Sequence, residues 1–123
     1  MLGNTEPFSS FSVDDLQKAR EFYGKTLGLH LNEEGPGLEL HFPNNNIFIY
    51  AKENHVPATF TILNFPVKDV EAAVDDLSTR GVRFEKYEDG ELKTDKKGIF
   101  RGNGPKIAWF KDPAGNFLSL IEE

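Results

Sequence analysis

The stretches FSVDDL at residues 11–16 and FPVKDV at residues 65–70 match each other at an offset of 54 residues (position 65 against position 11). In both copies, residues that favour β-strands precede an Asp, and a glycine follows about three helical turns later, at Gly28 and Gly81. An Asp in this position can cap the free amides of a helix, and the glycine is typical of a helix end. We therefore predict two copies of one strand–helix unit.

The segments after each helix extend this pattern. Short runs of β-favouring residues alternate with turn composition and predict further strands. The expected strands are residues 8–13, 29–32, 38–42 and 47–51 in the first copy, and 59–67, 82–87, 106–111 and 117–121 in the second. The chain is thus predicted to be an α+β protein with two βαβββ repeats, about residues 6–53 and 58–123, in a single domain of residues 1–123.

The composition is that of an ordinary globular chain, with 38% hydrophobic and 28% charged residues. The chain has no cysteine, which excludes disulfides and thiolate chemistry. Its net charge of −6 argues against nucleic acid as a partner, because phosphate binding needs a basic face. No apolar run approaches the roughly 18 residues of a membrane helix, so no membrane partner is expected. The N-terminus lacks the pattern of a secretory signal, so we expect a cytoplasmic protein.

Two features of the sequence need a separate explanation. Eleven Phe residues are more aromatic mass than a core of this size usually requires. The charged, glycine-containing stretch 88–104 matches neither copy of the repeat. A loop of that length is usually functional or mobile, and a solvated charged excursion is the simpler interpretation.

Two motifs resemble one known family. They are VxDLxxAxxFYxxxLG at residues 13–28 and FxDPxGNxxxL at residues 110–120. With the duplication, they resemble the vicinal oxygen chelate superfamily, which includes glyoxalase I, bleomycin resistance proteins and extradiol dioxygenases. The resemblance covers nearly the whole chain. It implies that the two repeats form a curled mixed sheet with a concave cleft, and that single chains of this length pair as homodimers.

The resemblance also implies four positions for the ligands of a divalent metal, which in that family are His, Glu or Gln. These positions fall on Phe8, Tyr50, Ile62 and Ser119. Phe and Ile cannot bind a metal, Ser is a poor ligand for Zn, Ni or Fe, and Tyr is an occasional one. We therefore predict no metal and no other cofactor.

A displaced metal site is the alternative. Glu39 and His41 lie two residues apart on one face of a predicted strand and could reach the same ion. Nothing in the spacing fixes a third ligand, and a surface histidine needs no special explanation.

The strand period predicts which side chains share the concave face. If Phe8 and Ile62 face the cleft, the other cleft positions follow by alternation, while the pattern leaves the face of Trp109 open. The candidate ligand-binding residues are Phe8, Ser10, Phe48, Tyr50, Phe60, Ile62, Asn64, Trp109, Phe117 and Ser119. Apolar walls with a few polar groups are typical of a small-molecule pocket. The alternative is that these rings form a second core or a dimer interface.

Three functions are compatible with this pattern. The first is a metal-free protein that binds a small aromatic or cationic molecule, similar to the bleomycin resistance branch, and the acidic balance favours a cation. The second is a metal-dependent lyase, isomerase or dioxygenase of the glyoxalase type with displaced ligands. The third is an interaction module that uses its rings as a partner surface. No catalytic residue is assigned, and metal-free catalysis would use polar groups such as Tyr50, Asn64, Ser119, Glu39 or His41.

Overall fold

The computed structural model describes residues 1–33 and 35–123. The chain divides into two units, Met1–Val56 and Pro57–Glu123, and each contains a four-stranded sheet and a helix. Both sheets are mixed, with one parallel pair of strands and two antiparallel pairs. The predicted α+β class is confirmed. That the two units form a single domain stays a prediction.

The first unit follows the predicted βαβββ order after a short 3-10 turn at Leu2–Asn4. Its elements are β1 Ser9–Val13, α1 Leu16–Arg20, β2 His30–Asn32, β3 Leu38–His41 and β4 Asn46–Ala51. The strands lie in the order β1-β4-β3-β2, and β1 runs parallel to β4.

The second unit has the same strand order with different spacing. Its elements are β5 Thr61–Val67, α2 Val70–Thr79, β6 Glu88–Asp89, β7 Leu92–Lys93, β8 Ile99–Phe100, β9 Ile107–Lys111 and β10 Phe117–Glu122. The sheet order is β5-β10-β9-β8, and β6 pairs with β7 in a separate hairpin. In both units the first strand of the repeat therefore lies parallel to the last one.

Both helices begin at the predicted Asp. An Asp15 side-chain oxygen accepts a hydrogen bond from the N–H of Gln17 at 2.9 Å, and Asp69 does the same for the N–H of Ala72 at 3.1 Å. These bonds satisfy amides that have no partner within the helix, and the carboxylates complement the positive end of its dipole. Neither helix is long and apolar enough to cross a membrane, and no other helix occurs among the described residues that could do so.

The two glycines of the repeat follow the helical segments, Gly28 after Glu21–Thr26 and Gly81 after α2. Gly28 has a φ of 72° and Gly81 a φ of 94°, a conformation that costs other residues strain. After α2, the N–H of Val82 donates to the Leu77 carbonyl at 3.1 Å, as expected for a Schellman end. Between α1 and Gly28, the segment Glu21–Thr26 forms a wider π-helical turn.

The core of each unit lies between the helix and one face of the sheet. Tyr23 is fully buried there, and its ring centroid lies 5.9 Å from that of Phe11. The buried apolar residues are Val13, Ala19, Tyr23, Leu38, Leu40, Ile47 and Ile49 in the first unit, and Val70, Val74, Leu77, Val82, Ile99, Ala108, Phe110, Leu118 and Leu120 in the second. The prediction that Phe11 packs on the helix side is confirmed.

The strand predicted at residues 82–87 is wrong. Within it only Phe84 pairs with β9, through an isolated bridge to Phe110. The strand position next to β9 is taken instead by β8, whose Ile99 lies opposite Ala108. The stretch 88–104, predicted as an irregular loop, therefore supplies a strand of the sheet as well as the β6–β7 hairpin.

Ion pairs hold this stretch against α2. Lys97 Nζ lies 3.1 Å from a Glu71 carboxylate oxygen and 2.9 Å from one of Asp75. The Arg101 guanidinium contacts Glu71 at 3.1 Å and Asp95 at 3.0 Å. Hydrogen bonds from Lys97 and Arg101 hold the pKa of the Glu71 carboxyl below its ordinary value of 4.5. Burial alone would raise the pKa of Asp95, but hydrogen bonds from backbone N–H groups and Arg101 lower it below 3.8.

The turn between β9 and β10 is built around a buried carboxylate. Asp112 and Asn116 are both buried, and Asp112 accepts hydrogen bonds from the N–H of Ala114 (3.0 Å), the N–H of Asn116 (2.9 Å) and the Asn116 side-chain amide (3.0 Å). Gly115 has a φ of 90°. The DPxGN motif therefore has a structural role in this turn, as its composition predicts.

Candidate functional site

The open face of the first sheet, opposite its buried core, carries a stacked aromatic pair. On β4, Ile47 and Ile49 are buried in the core, while Phe48 and Tyr50 point to the other side. The Phe48 and Tyr50 rings are inclined by 19° with centroids 6.2 Å apart. Ser10 lies beside Phe48 in the parallel register of β1 and β4. Three predicted site residues, Ser10, Phe48 and Tyr50, are thus brought together on one face.

A cavity of about 690 Å³ extends from Phe48 of this pair toward the start of β1. Its walls include Phe8, Phe42 and Phe48, with Glu39 and Asn46 supplying polar groups. Phe8 precedes β1 and is 69% exposed, so its ring is available to a ligand. Phe42 was not predicted for the site, because it follows β3 in a turn whose position is set by the β3–β4 pairing rather than by its own sequence.

Polar side chains border the aromatic pair on the neighbouring strands. Glu39 lies opposite Phe48 in the β3–β4 register, and its carboxylate is 3.1 Å from His41 Nε2. The Asn32 amide donates to the same carboxylate at 3.4 Å. Glu39 and His41 could offer two metal ligands, but within residues 1–33 and 35–123 no group of three His, Cys, Asp or Glu residues could hold an ion.

The first unit also contains a hydroxyl–imidazole pair. Ser12 Oγ lies 2.7 Å from His55 Nδ1, although the two residues are 43 positions apart. Ser12 adjoins Tyr50 in the β1–β4 register, so the pair lies at the edge of the same face. Sequence spacing contains no signal for this contact, because the chain returns to β1 only through the fold of the whole unit.

The face of the second sheet opposite its apolar core carries Ser119, which is itself fully buried. Leu118 and Leu120 are buried in the core, and Ser119 alternates to the other side of β10. The register places Ser119 between Asn64 of β5 and Trp109 of β9. Its hydroxyl donates to the Asn64 side-chain oxygen at 2.5 Å. The face of Trp109, which the sequence left open, is therefore the face that carries Ser119 and Asn64.

Two further aromatic contacts shape this second face. The Trp109 indole packs edge-on against Tyr87, with ring centroids 5.8 Å apart. Its contact with Phe100 is tilted by 44°, with centroids 6.1 Å apart. Burial raises the pKa of the Tyr87 hydroxyl, and the nearby Glu85 carboxylate adds to the rise. Lys111 Nζ lies 4.9 Å from the centre of the Phe117 ring, within the range of a cation–π contact.

A register shift affects Phe60 and Ile62, the last two of the candidate ligand-binding residues. Phe117 pairs with Thr61 and Leu118 with Leu63, so Ile62 is the extra residue of a β-bulge. Ile62 is half-buried, and Phe60 lies before β5 with 68% of its surface exposed. Strict alternation along β5 stops at the bulge, so strand pairing does not bring Phe60 onto the face of Asn64.

The family model described as Glyoxalase/Bleomycin resistance protein/Dioxygenase superfamily matches residues 8–120. The chain belongs to this superfamily. No curated protein sequence matches the chain significantly.

Several solved structures share the fold along nearly the whole chain. A glyoxalase family protein from Enterococcus faecalis is similar with a TM-score of 0.73 and 21% identity, over 99% of this chain and 100% of the other. A superfamily member from Sphaerobacter thermophilus DSM 20745 gives a TM-score of 0.68 and 24% identity, over 97% and 98%. TnmS3, an antibiotic binding protein from Streptomyces sp. CB03234, gives 0.67 and 23%, over 97% of each chain. At these identities the likeness shows the fold alone.

The superfamily implies a divalent metal, and the residues at its ligand positions do not fit one. Phe8 and Ile62 have no donor atom. The Ser119 hydroxyl is buried and donates to Asn64, and Tyr50 offers only a phenol. Divalent transition metals in proteins take imidazole, thiolate or carboxylate ligands, and none of the four positions supplies these.

Proposed function

We propose that this superfamily member binds a small aromatic or cationic molecule in an apolar cleft, without a metal. The observation that carries the proposal is the stacked pair of Phe48 and Tyr50 beside the Glu39 carboxylate. A flat cation can stack on the rings and be attracted by both the ring faces and the carboxylate.

The size and composition of the adjoining cavity support the same proposal. Its volume of about 690 Å³ lies within the roughly 300–1,000 Å³ of small-molecule sites. Phe8 and Phe42 add apolar surface, while Glu39 and Asn46 add polar groups. TnmS3, which shares the fold of this chain, is described as an antibiotic binding protein.

We assign a ligand-contacting role to the second sheet as well. Its candidate residues are Phe60, Ile62, Asn64, Trp109, Phe117 and Ser119. Asn64 and Ser119 form one hydrogen-bonded unit, so the exposed Asn64 amide is held in place to contact a ligand. We further propose that the chain forms a homodimer, as the family resemblance implies, and that it is cytoplasmic, as the absence of a signal pattern in the sequence indicates. Sedimentation equilibrium of the purified protein tests the dimer.

The binding proposal is tested with proflavine, a flat aromatic cation whose fluorescence reports binding. We expect saturable binding that weakens by more than about tenfold in Phe48→Ala and Tyr50→Ala, and less in Glu39→Gln, which keeps the shape but removes the charge. The control is Leu92→Ala, which removes an exposed apolar side chain of β7. Equal binding by wild type and Phe48→Ala, with unchanged thermal unfolding, would refute the proposal.

The second candidate function is a metal enzyme with displaced ligands, and the Glu39–His41 contact of 3.1 Å favours it. Metal analysis of protein purified without chelator or affinity tag separates the two functions, together with thermal unfolding in Ni, Zn, Mn and Fe. Stoichiometric metal that is lost in His41→Ala would support the enzyme and overturn the metal-free proposal. A large stabilisation by one ion would have the same meaning, because a ligand stabilises only the state that binds it.

A further inference from the structure

A second cavity lies in the other unit, on the helix side of its sheet. It has a volume of about 770 Å³ and is bounded by α2 and by residues 82–86 and 96–97. Its apolar floor consists of Val74 and Val82, which are largely buried beneath the cavity, and of Phe84, which is half-buried and so keeps apolar surface exposed. None of these residues belongs to the proposed ligand face, so this cavity is a separate feature of the molecule.

The rim of this cavity is cationic although the chain as a whole has a net charge of −6. Arg83, Lys86, Lys96 and Lys97 line it together with two acids, Asp75 and Glu85. Both acids are engaged in ion pairs: Asp75 contacts Lys97 at 2.9 Å, and Glu85 lies 3.8 Å from Lys111.

The remaining three cations lack such counter-charges. Across residues 1–33 and 35–123, the side chains of Arg83, Lys86 and Lys96 make no ion pair or hydrogen bond. Three like charges around one concavity raise the local positive potential and concentrate anions there. The arrangement therefore leaves three donors available to one anionic ligand.

We propose that this cavity binds a small organic anion with an apolar body, of the aryl phosphate class. The negative group would be bound by the cations of the rim, where charge-assisted hydrogen bonds are strong. The apolar body would cover the floor formed by Val74, Val82 and Phe84. An inorganic phosphate could use only the rim, so the ligand class is distinguished from a free anion by its apolar part.

The C-terminal end of α2 also faces the cavity, through Ser78. The negative end of a helix dipole disfavours an anion there. The Leu77 and Ser78 carbonyls already accept hydrogen bonds from the N–H groups of residues 80–82. The negative group is therefore placed toward Arg83, Lys86 and Lys96, and the apolar body toward α2.

The test is titration of ¹⁵N-labelled protein with phenyl phosphate, with inorganic phosphate and benzyl alcohol as separate probes. We expect saturable shifts of the amides of residues 74–86 and 96–97. Phenyl phosphate should bind more tightly than inorganic phosphate by at least about fivefold, because only phenyl phosphate uses the floor. Equal affinity for the two anions would overturn the assignment of an organic ligand, and shifts confined to other residues would overturn the site.

A matched pair of triple variants separates local from overall charge. Arg83→Gln with Lys86→Gln and Lys96→Gln should weaken phenyl phosphate binding by more than about tenfold. The control combines Lys18→Gln, Lys52→Gln and Lys68→Gln, which removes the same total charge elsewhere and should change the affinity by less than about twofold. Equal weakening in both variants, at unchanged thermal unfolding, would show that only net charge matters and would overturn the proposal. The proflavine experiment tests a site in the first unit and the phenyl phosphate experiment a site in the second. Either proposal can therefore be refuted while the other stands.

Discussion

Replacement of Asp112 by Ala should destabilise the second unit strongly, because one buried carboxylate organises the turn between β9 and β10. The mutation removes the acceptor of the Ala114 N–H, the Asn116 N–H and the Asn116 side-chain amide, at 2.9–3.0 Å. A hydrogen bond to a charged group contributes about 1.5–3 kcal/mol, and bonds that share one acceptor are not additive. We therefore expect a loss of about 3 kcal/mol in the free energy of unfolding.

Urea unfolding measures this loss, with the fluorescence of the single Trp, Trp109 of β9, as the signal. A loss of that size should lower the urea midpoint by roughly 1.5–2 M at an unchanged slope. Asp112→Asn should lie between the wild type and Asp112→Ala, because its carbonyl oxygen can still accept from the backbone while its amino group faces the Asn116 amide. Asp89→Ala, which removes an exposed carboxylate of β6, should change stability by less than about 0.5 kcal/mol. An Asp112→Ala midpoint equal to that of Asp89→Ala would refute the reasoning.

Two other perturbations test the packing and the electrostatics. Glu71 and Asp95 have lowered pKa values, so their charged forms stabilise the folded chain above about pH 4.5, and this contribution is lost as the pH falls through the lowered values. Urea midpoints between about pH 6 and pH 2 should fall less steeply for Glu71→Gln than for the wild type, and parallel curves would contradict this. Gly37→Ala should cost more than about 2 kcal/mol by thermal unfolding, because its Cβ would lie 2.3 Å from the Ile49 carbonyl oxygen. Gly104→Ala, whose Cβ would meet nothing within 4 Å, is the neutral control, and equal unfolding of the two variants would contradict the packing argument.

The features that sequence predicted correctly depend on a few neighbouring residues. Asp15 and Asp69 cap their helices through amides two or three positions away, and Gly28 and Gly81 end them through their own φ angles. The alternation of buried and exposed side chains on β4 is equally local, since it follows from the geometry of one strand. Each of these is decided within a short segment, so one sequence is sufficient to predict it.

The features that sequence did not predict depend on contacts between distant segments. Residues 82–87 have the alternation of a strand, but the edge of β9 is shared between Phe84 and β8, and the ion pairs of Lys97 and Arg101 with α2 hold β8 nearby. The bulge at Ile62 is likewise visible only from the register with β10. The alternation of side chains along one strand cannot show at which residue the pairing with the neighbouring strand is interrupted.

Charge provides the clearest case in which a total conceals a local arrangement. The net charge of −6 favours a cationic ligand, and the Glu39 carboxylate beside the Phe48 ring agrees with that preference. In the cavity beside α2, however, the two lining acids are already paired, so the local field is dominated by Arg83, Lys86 and Lys96, which make no ion pair within the described residues. Which charges remain available to a ligand depends on the pairing of all the others, and pairing is a property of the fold rather than of composition. The two proposed sites of this acidic chain therefore differ in the charge of the ligand they suit, a cation beside Phe48 and an anion beside α2.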